Sequence, residues 1–225
     1  MNVACLDFET ANSSPYSACS VGIAVFDGEG DILARYEQFL LPHKYYRYFD
    51  PFNTVIHGIR AEDVALSPEF PEVADEIFDL LRGSLVVAHN AMFDMKVLCS
   101  LSQLYRIPLP DMYYFCTCKG ARRMWKQLPD HKLNTLCDFI GHRFDHHQAG
   151  ADAEAAGKVF FAMLRASGKV SPLELPEYLQ IVPGRFCNGR EQTACRCIPL
   201  RKKKRSPERF SSNSYYFFFL TGFPV

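Results

Sequence analysis

Three strand-like runs in the first 41 residues constrain the fold more than any other feature of this chain. Residues 2–8 form a continuous apolar run, and the segment CSVGIAVFDGEGDILARYEQFLL, residues 19–41, reads as two further strands joined by a turn that contains glycine. Turns of this kind connect antiparallel neighbours. The chain is therefore predicted to begin with a three-strand antiparallel meander.

The pattern then changes to an alternation of helix and strand. Apolar residues recur with a helical period in four segments, and two short apolar runs between them read as buried strands. The helical segments are 70–83, 90–105, 132–141 and 149–166, and the strand-like segments are 84–89 and 113–117. This order predicts an α/β fold in which a mixed five-stranded sheet, the meander plus parallel strands, is flanked by helices.

The composition changes after Gly168, and this change predicts a domain of residues 1–168. Residues 169–225 are predicted to be a basic tail or linker that contains cysteines and aromatic residues. Residues 1–182 contain 16 Lys and Arg against 23 Asp and Glu, whereas residues 183–225 contain 9 against 2. An acidic body argues against a uniformly cationic binder of nucleic acid and leaves room for acids that hold metal ions. The run RKKKR at 201–205 is interpreted as a solvated linker, with phosphate contacts as the alternative.

The cellular location is predicted from two observations. The chain has no basic leader followed by an apolar run, and no stretch approaches the roughly 20 apolar residues of a membrane span. The nine cysteines are an odd number scattered through apolar segments, which is typical of reduced thiols. A soluble, cytoplasmic protein without membrane association is expected.

Two carboxylates interrupt the first strand. Asp7 and Glu9 are two positions apart, so their side chains project from the same face. Two like charges in a partly dry site are unfavourable unless a positive charge compensates them, and a divalent cation such as Mg²⁺ or Mn²⁺ suits hard oxygen ligands. The alternative is a strand end that reaches solvent, where the pair is harmless.

Two further acids lie at helix starts on faces that should pack on the sheet. Asp94 shares a helical face with Val97, Leu98 and Leu101, and Asn90 is predicted to cap that helix. Asp152 similarly aligns with residues 155, 156, 159 and 160 of the last long helix. A carboxylate on a core-facing stripe is unfavourable unless it is paired or ligated, so four acids are expected to converge.

A histidine next to this cluster could act as a general base. His146 and His147 both precede the helix of Asp152, and a neutral imidazole there could accept a proton from water. Chemistry alone leaves both candidates open.

The motifs LDFETAN, VVAHNAMFD and HHQAGADA, in this order, resemble the three exonuclease motifs of the DEDDh branch of the 3′–5′ exonucleases, whose fold is ribonuclease H-like. The similarity covers about residues 2–167 and extends to the connecting segments SACSVG, VIHGI and HKLNTLCDFIG. One departure is Ala11-Asn12, where the family often has Thr-Gly. This change is expected to affect substrate contacts more than chemistry.

The resemblance implies two-metal hydrolysis of phosphodiester bonds, with release of nucleoside 5′-monophosphates from a 3′ end. It places two divalent cations, Mg²⁺ or Mn²⁺, on Asp7, Glu9, Asp94 and Asp152. The family spacing of four residues between the base and the last Asp selects His147. The residues expected to contact substrate are Thr10, Ile56, His57, Asn90 and Phe93.

The expected partner is a nucleic acid with a free 3′ end, with DNA favoured over RNA and a role in DNA replication or repair. Association with a DNA polymerase is a further expectation. An RNA-processing exoribonuclease of the same fold and a non-catalytic module that binds 3′ ends are the alternatives. The terminal segment SYYFFFLTGFPV weakly resembles the first strand of a BRCT domain, which predicts the start of a second domain.

Overall fold

The computed structural model describes residues 1–144, 146 and 148–199 of the chain. His147, the basic run at 201–205 and the terminal segment SYYFFFLTGFPV lie outside the described residues. The elements, in chain order, are β1 (Val3–Thr10), β2 (Ala18–Phe26), β3 (Ile32–Phe39), α1 (Pro51–His57), α2 (Phe70–Leu81), β4 (Leu85–Ala88), α3 (Met92–Tyr105), β5 (Met112–Cys116), α4 (Thr117–Met124), α5 (Leu133–Ile140), α6 (Ala149–Ser167), α7 (Glu174–Tyr178), β6 (Ile181–Val182), β7 (Gly184–Cys187), β8 (Arg190–Thr193) and β9 (Arg196–Cys197).

The first three strands form the predicted antiparallel meander. Every residue of β2 is buried, whereas β3 alternates between half-buried and exposed positions, as expected for a strand with one face on the core. The turn between them is held by Asp27, whose Oδ1 accepts hydrogen bonds from the backbone N–H groups of Glu29, Gly30 and Asp31. Gly30 has a φ of 101°, a conformation that glycine adopts without steric cost.

The central sheet is mixed, as predicted, but it contains seven strands in the order β3-β2-β1-β4-β5-β7-β8. β4 pairs in parallel with β1, and β5 pairs in parallel with β4. β7 and β8 then add two antiparallel strands beyond β5. The prediction of five strands was therefore wrong, because β7 and β8 come from the segment that was interpreted as a tail.

Side-chain contacts hold these two added strands against β5. Phe186 of β7 is buried, and the Tyr114 hydroxyl of β5 donates a hydrogen bond to the Glu191 carboxylate of β8. The same hydroxyl accepts a hydrogen bond from the Cys195 backbone N–H at 3.1 Å. The domain boundary near residue 168 stays a prediction, although strands from beyond it complete the sheet.

Helix α6 packs closely against β1 and β2. A Cβ atom at Gly157 would lie 2.2 Å from the Phe26 ring and 2.9 Å from the Cys5 sulfur, so this approach requires glycine. The helix ends at Gly168, which has a φ of 68° and donates its N–H to the carbonyl of Arg165. The close approach at Gly157 positions α6 against β1, the strand that carries Asp7 and Glu9.

All nine cysteines are free thiols, and five of them are buried. Within the described part of the chain, no helix combines the length and the apolar character that a bilayer span requires.

Candidate active site

The predicted acidic pair lies where β1 extends beyond its parallel neighbour. The last residue pair between β1 and β4 is Cys5 with Val87, so Asp7 and Glu9 lie past the carboxyl end of β4. Both side chains are partly exposed and line the same cleft. Crevices at the carboxyl ends of parallel strands are common ligand sites in α/β proteins.

Asp94 approaches this pair from the first turn of α3. Its side chain is only 1% exposed, and its Oδ1 accepts a hydrogen bond from the Phe8 backbone N–H at 3.1 Å. Its Oδ2 is buried without a hydrogen-bond partner among the described residues. Because Val97 and Leu98 are also buried, the predicted core-facing stripe of this helix is confirmed.

Asp152 comes from the first turn of α6 and is 4% exposed. Gly22 of β2, which pairs with Asp7, explains how the helix start can come so near the sheet. A Cβ atom at Gly22 would lie 2.0 Å from the backbone carbon of Ala149. The predicted inward face is confirmed, since residues 155, 156, 159 and 160 are buried.

The four carboxyl groups perturb one another. One ligand atom from each of Asp7, Glu9 and Asp152 lies within 4.8 Å of the others. Burial, reinforced by Asp152, raises the pKa of Glu9 to about 8. Burial also raises the pKa of Asp7 well above its ordinary value, with further contributions from Asp94, Asp152 and Glu9.

The pKa of Asp94 is likewise raised to about 8, chiefly by burial, although the Phe8 N–H partly opposes the shift. Carboxylates gathered in this way are unstable as bare anions and are oxygen ligands of the kind that divalent cations prefer. The unpartnered Oδ2 of Asp94 leaves a further acceptor for a cation or its water shell. The residues present therefore fit the divalent ions that the sequence predicted.

The cleft in front of the acids has a volume of about 600 Å³. Three of the five residues predicted to contact substrate line it, namely Ile56, Asn90 and Phe93. The other two, Thr10 and His57, are buried. His57 Nδ1 accepts a hydrogen bond from the Ile59 N–H at 3.0 Å, so Nε2 carries the proton toward the Thr10 carbonyl at 3.2 Å. The substrate roles of all five residues stay predictions.

Asn90 does not cap α3, contrary to the sequence prediction. The N-cap is Ala91, and Asn90 has a φ of 61°. Asparagine tolerates this left-handed conformation better than most residues, which suits the tight turn after β4. The conformation places Asn90 at the exposed rim of the cleft.

The two candidate bases have different outcomes. His147 lies outside the described residues, so its role stays a prediction. His146 lines the cleft, and its Nδ1 lies 2.6 Å from Asp152 Oδ1. His146 therefore contacts one of the four predicted metal ligands directly.

Sequence reasoning did not single out three residues that also line the cleft, His89, Lys132 and Asn134. Burial lowers the pKa of His89 to about 4, so its ring is neutral at physiological pH, and its Nδ1 lies 2.9 Å from the Thr117 hydroxyl. Lys132 precedes α5 and is exposed. The family resemblance could have identified all three residues. Lys132 and Asn134 lie in the segment HKLNTLCDFIG, and His89 lies in the motif VVAHNAMFD.

The profile of the family described as Exonuclease (RNase T) matches residues 4–160. The chain belongs to this exonuclease family. The resemblance inferred from the three motifs is thereby confirmed, and residues 4–160 are an exonuclease domain that contains all four predicted acids and His147.

Two curated relatives of the exonuclease domain are DNA polymerase III PolC-type of Halalkalibacterium halodurans and the 3′-5′ exonuclease DinG of Bacillus subtilis. The first is 32% identical over 164 residues, which are 71% of this chain and 11% of the relative. The second is 29% identical over 179 residues, which are 78% of this chain and 19% of the relative. The chain thus spans less than a fifth of the length of either relative.

A solved structure, exonuclease X in complex with 5′ overhanging duplex DNA, superposes with a TM-score of 0.63 and 22% identity. The superposition covers 79% of this chain and 99% of that one. At this identity the likeness supports the fold, including the mixed sheet flanked by helices.

Proposed function

We propose that this chain is a metal-dependent 3′–5′ exonuclease that removes nucleoside 5′-monophosphates from single-stranded DNA. The observation that carries the proposal is the convergence of Asp7, Glu9 and Asp152 in an open cleft at the carboxyl end of β1. Asp94 is buried beside this group, where it accepts a hydrogen bond from the Phe8 N–H. A binding module would not require buried like charges, which are unfavourable without cations.

The four acids are proposed to hold the divalent ions that take part in the reaction. Asp7, Glu9 and Asp152 are close enough to share one divalent ion, and Asp94 offers an additional carboxylate oxygen. Two such ions, when bound, would activate the attacking water and stabilise the negative charge that develops on phosphate and leaving oxygens. The rigid strand and the two helix starts keep these ligands in position.

His147 is proposed to accept the proton of the attacking water. The water oxygen forms a bond to the terminal phosphorus, and the bond from that phosphorus to the 3′ oxygen of the preceding nucleotide breaks. The leaving 3′ oxygen takes up a proton from solvent water, so the products are a nucleoside 5′-monophosphate and a strand with a new 3′ hydroxyl group, and His147 returns its proton to solvent. His146, through its contact with Asp152, would orient that carboxylate.

The preference for DNA and a role in replication or repair are proposed from the relatives, a DNA polymerase and the 3′-5′ exonuclease DinG. The same likeness to the polymerase supports the proposal that the chain associates with one. The cytoplasmic location is proposed from the free thiols, which suit a reducing compartment.

Single-stranded DNA and RNA of one sequence, labelled at the 5′ end, test the proposal. In Mg²⁺ or Mn²⁺ we expect a ladder of progressively shortened labelled strands, faster with DNA, and no reaction in EDTA. Asp152→Asn should lower the rate at least about 100-fold. Asp138→Asn, at an exposed position of α5, is the matched control and should retain the wild-type rate.

Immediate release of a labelled mononucleotide would contradict the 3′–5′ direction. Digestion that persists in EDTA, or an undiminished rate in Asp152→Asn, would overturn the catalytic assignment. Faster digestion of RNA would reject only the preference for DNA.

A further inference from the structure

Helix α1 has the reverse of the usual amphipathic arrangement. Phe52, Val55 and Ile56 occupy positions i, i+3 and i+4 and therefore share one helix face. Their exposed fractions are 73%, 85% and 40%. In a surface helix, an apolar stripe of this spacing normally packs on the core.

The polar face of α1 is the buried one. The Asn53 side-chain amide donates a hydrogen bond to the Thr10 carbonyl at 2.9 Å, and His57 reaches the same carbonyl at 3.2 Å. Both contacts attach the helix to the end of β1. The orientation that exposes Phe52 and Val55 is thus fixed by specific hydrogen bonds.

The ends of α1 are also fixed, although seven residues are too few for a stable isolated helix. Asp50 caps the first turn by accepting a hydrogen bond from the Phe52 N–H at 2.8 Å. Gly58 ends the helix with a φ of 76°. The exposed apolar stripe therefore belongs to an ordered element.

The loop before α1 presents another exposed ring on a fixed backbone. The Asn12 side-chain amide donates hydrogen bonds to the carbonyls of Tyr46 and Tyr48 at 3.1 and 2.6 Å. The Tyr46 ring stacks on Tyr16 with centroids 4.9 Å apart, whereas Tyr48 is 67% exposed. Asn12, one of the residues at which this chain departs from the family pattern, thus holds the loop that carries Tyr48.

Exposed rings of this kind are suited to base stacking, because every nucleobase has a π-face and stacking tolerates any sequence. The charge of the segment is compatible with a phosphate backbone. Residues 43–60 contain three basic residues and one acid, Asp50, which is engaged as the helix cap. Arg47 is paired with Glu69, so stacking is expected to contribute more than phosphate contacts.

Phe52 and Val55 share the face of α1 on which Ile56 lines the catalytic cleft, so this face is continuous with the cleft. The exposed ring of Tyr48 lies four residues before Phe52 in the chain, and Tyr48, Phe52 and Val55 are taken together as one surface. We propose that this surface, the α1 platform, binds the bases of a single strand upstream of its 3′ end. The proposal rests on the proposed function, since it names how that site receives its substrate. A single strand would lie with successive bases on Phe52 and Tyr48.

Binding in EDTA tests the platform without turnover. Single-stranded DNA and RNA 12-mers carrying 2-aminopurine near the 3′ end report both affinity and stacking. We expect Phe52→Ala and Tyr48→Ala each to weaken binding at least about fivefold and to reduce the quenching of the fluorophore. Phe52→Trp should retain both, and Tyr178→Ala, at a half-exposed tyrosine of α7, is the matched control.

Hydrolysis of the p-nitrophenyl ester of thymidine 5′-monophosphate, which has no upstream bases, separates this proposal from the proposed function. Phe52→Ala should hydrolyse the ester at the wild-type rate while losing affinity for the 12-mers. Unchanged binding of both 12-mers in Phe52→Ala and Tyr48→Ala would overturn the platform. A loss of ester hydrolysis in Phe52→Ala as large as its loss of affinity for the 12-mers would also overturn it. If the wild-type protein hydrolyses neither the ester nor the labelled single strands, the exonuclease proposal fails. The binding measurements in EDTA still test the platform in that case.

Discussion

At the scale of single residues, the neighbouring histidines before α6 are expected to have separable roles. His147→Ala should lower kcat by about 10²- to 10⁴-fold at saturating metal, because it removes the proposed general base. His146→Ala should keep kcat but raise the metal concentration for half-maximal activity about 10- to 100-fold, since it removes the group that contacts Asp152. Metal titrations of both variants check this. The opposite pattern would exchange the two assignments.

Asn90 combines a backbone requirement with a predicted substrate contact, and two substitutions separate them. Asn90→Gly can adopt the φ of 61° freely and should keep the wild-type melting temperature. Asn90→Ala should lose about 1 kcal/mol of stability. If the side chain hydrogen-bonds the substrate, the glycine variant should raise KM about two- to tenfold. Thermal melts with single-strand kinetics measure both effects, and a wild-type KM in Asn90→Gly would leave only the backbone role.

At the scale of elements, the approach of α6 to the sheet decides whether Asp152 reaches Asp7 and Glu9. Gly22→Ala would place a Cβ atom 2.0 Å from the Ala149 backbone, so the start of α6 must shift. We expect a loss of about 1–3 kcal/mol in stability. We also expect about a 100-fold loss of activity, because ligand positions are displaced.

Gly28→Ala is the matched control for this element. The nearest atom to its Cβ would lie 3.6 Å away, and Gly28 is not among the glycines with positive φ. Activity assays and thermal melts of both variants test the prediction. Wild-type activity in Gly22→Ala would show that the position of the helix start is not critical.

At the scale of the whole molecule, the acid cluster links stability to pH and to metal. Without metal, the pKa values of Glu9 and Asp94 are raised to about 8, whereas carboxyl groups in the unfolded chain titrate at about 4. The folded state therefore holds more protons than the unfolded state in this interval. The free energy of unfolding should fall as the pH rises from about 4 toward about 8.

The interval from pH 6.5 to 8 avoids the opposing contribution of His89, and the variant Asp94→Asn separates the carboxyl groups from the buried thiols, whose pKa values are also raised. The pKa of His89 is lowered to about 4, whereas a histidine in the unfolded chain titrates at about 6.5. The contribution of His89 to the free energy of unfolding therefore increases with pH only up to about 6.5. In EDTA the melting temperature should decrease over this interval, by about 2–4 °C for each kcal/mol lost from the free energy of unfolding. Mg²⁺ should raise it more at pH 8 than at pH 6.5, and Asp94→Asn should flatten the metal-free dependence. An unchanged slope in Asp94→Asn would contradict the assignment.

The fold also shows how far local sequence signals extend. The meander, the buried strand β4 and the helices α2, α3 and α6 follow from apolar periodicity, which depends on residues a few positions apart. β7 and β8 carry no such signal, because each has four residues and both contact Tyr114, about 75 residues earlier in the chain. Their addition to the sheet therefore required the tertiary structure.

The sequence by itself determined the exonuclease family, through three motifs in a fixed order, and also the inward faces of Asp94 and Asp152 and the shared face of Asp7 and Glu9. The faces depend on spacing within one strand or one helix turn, which the chain encodes locally. The tertiary structure alone decided that His57 is buried, that Asn90 is left-handed, and that the apolar face of α1 points to solvent. The burial of His57 and the orientation of α1 depend on the Thr10 carbonyl, a backbone group of a distant segment that anchors this helix.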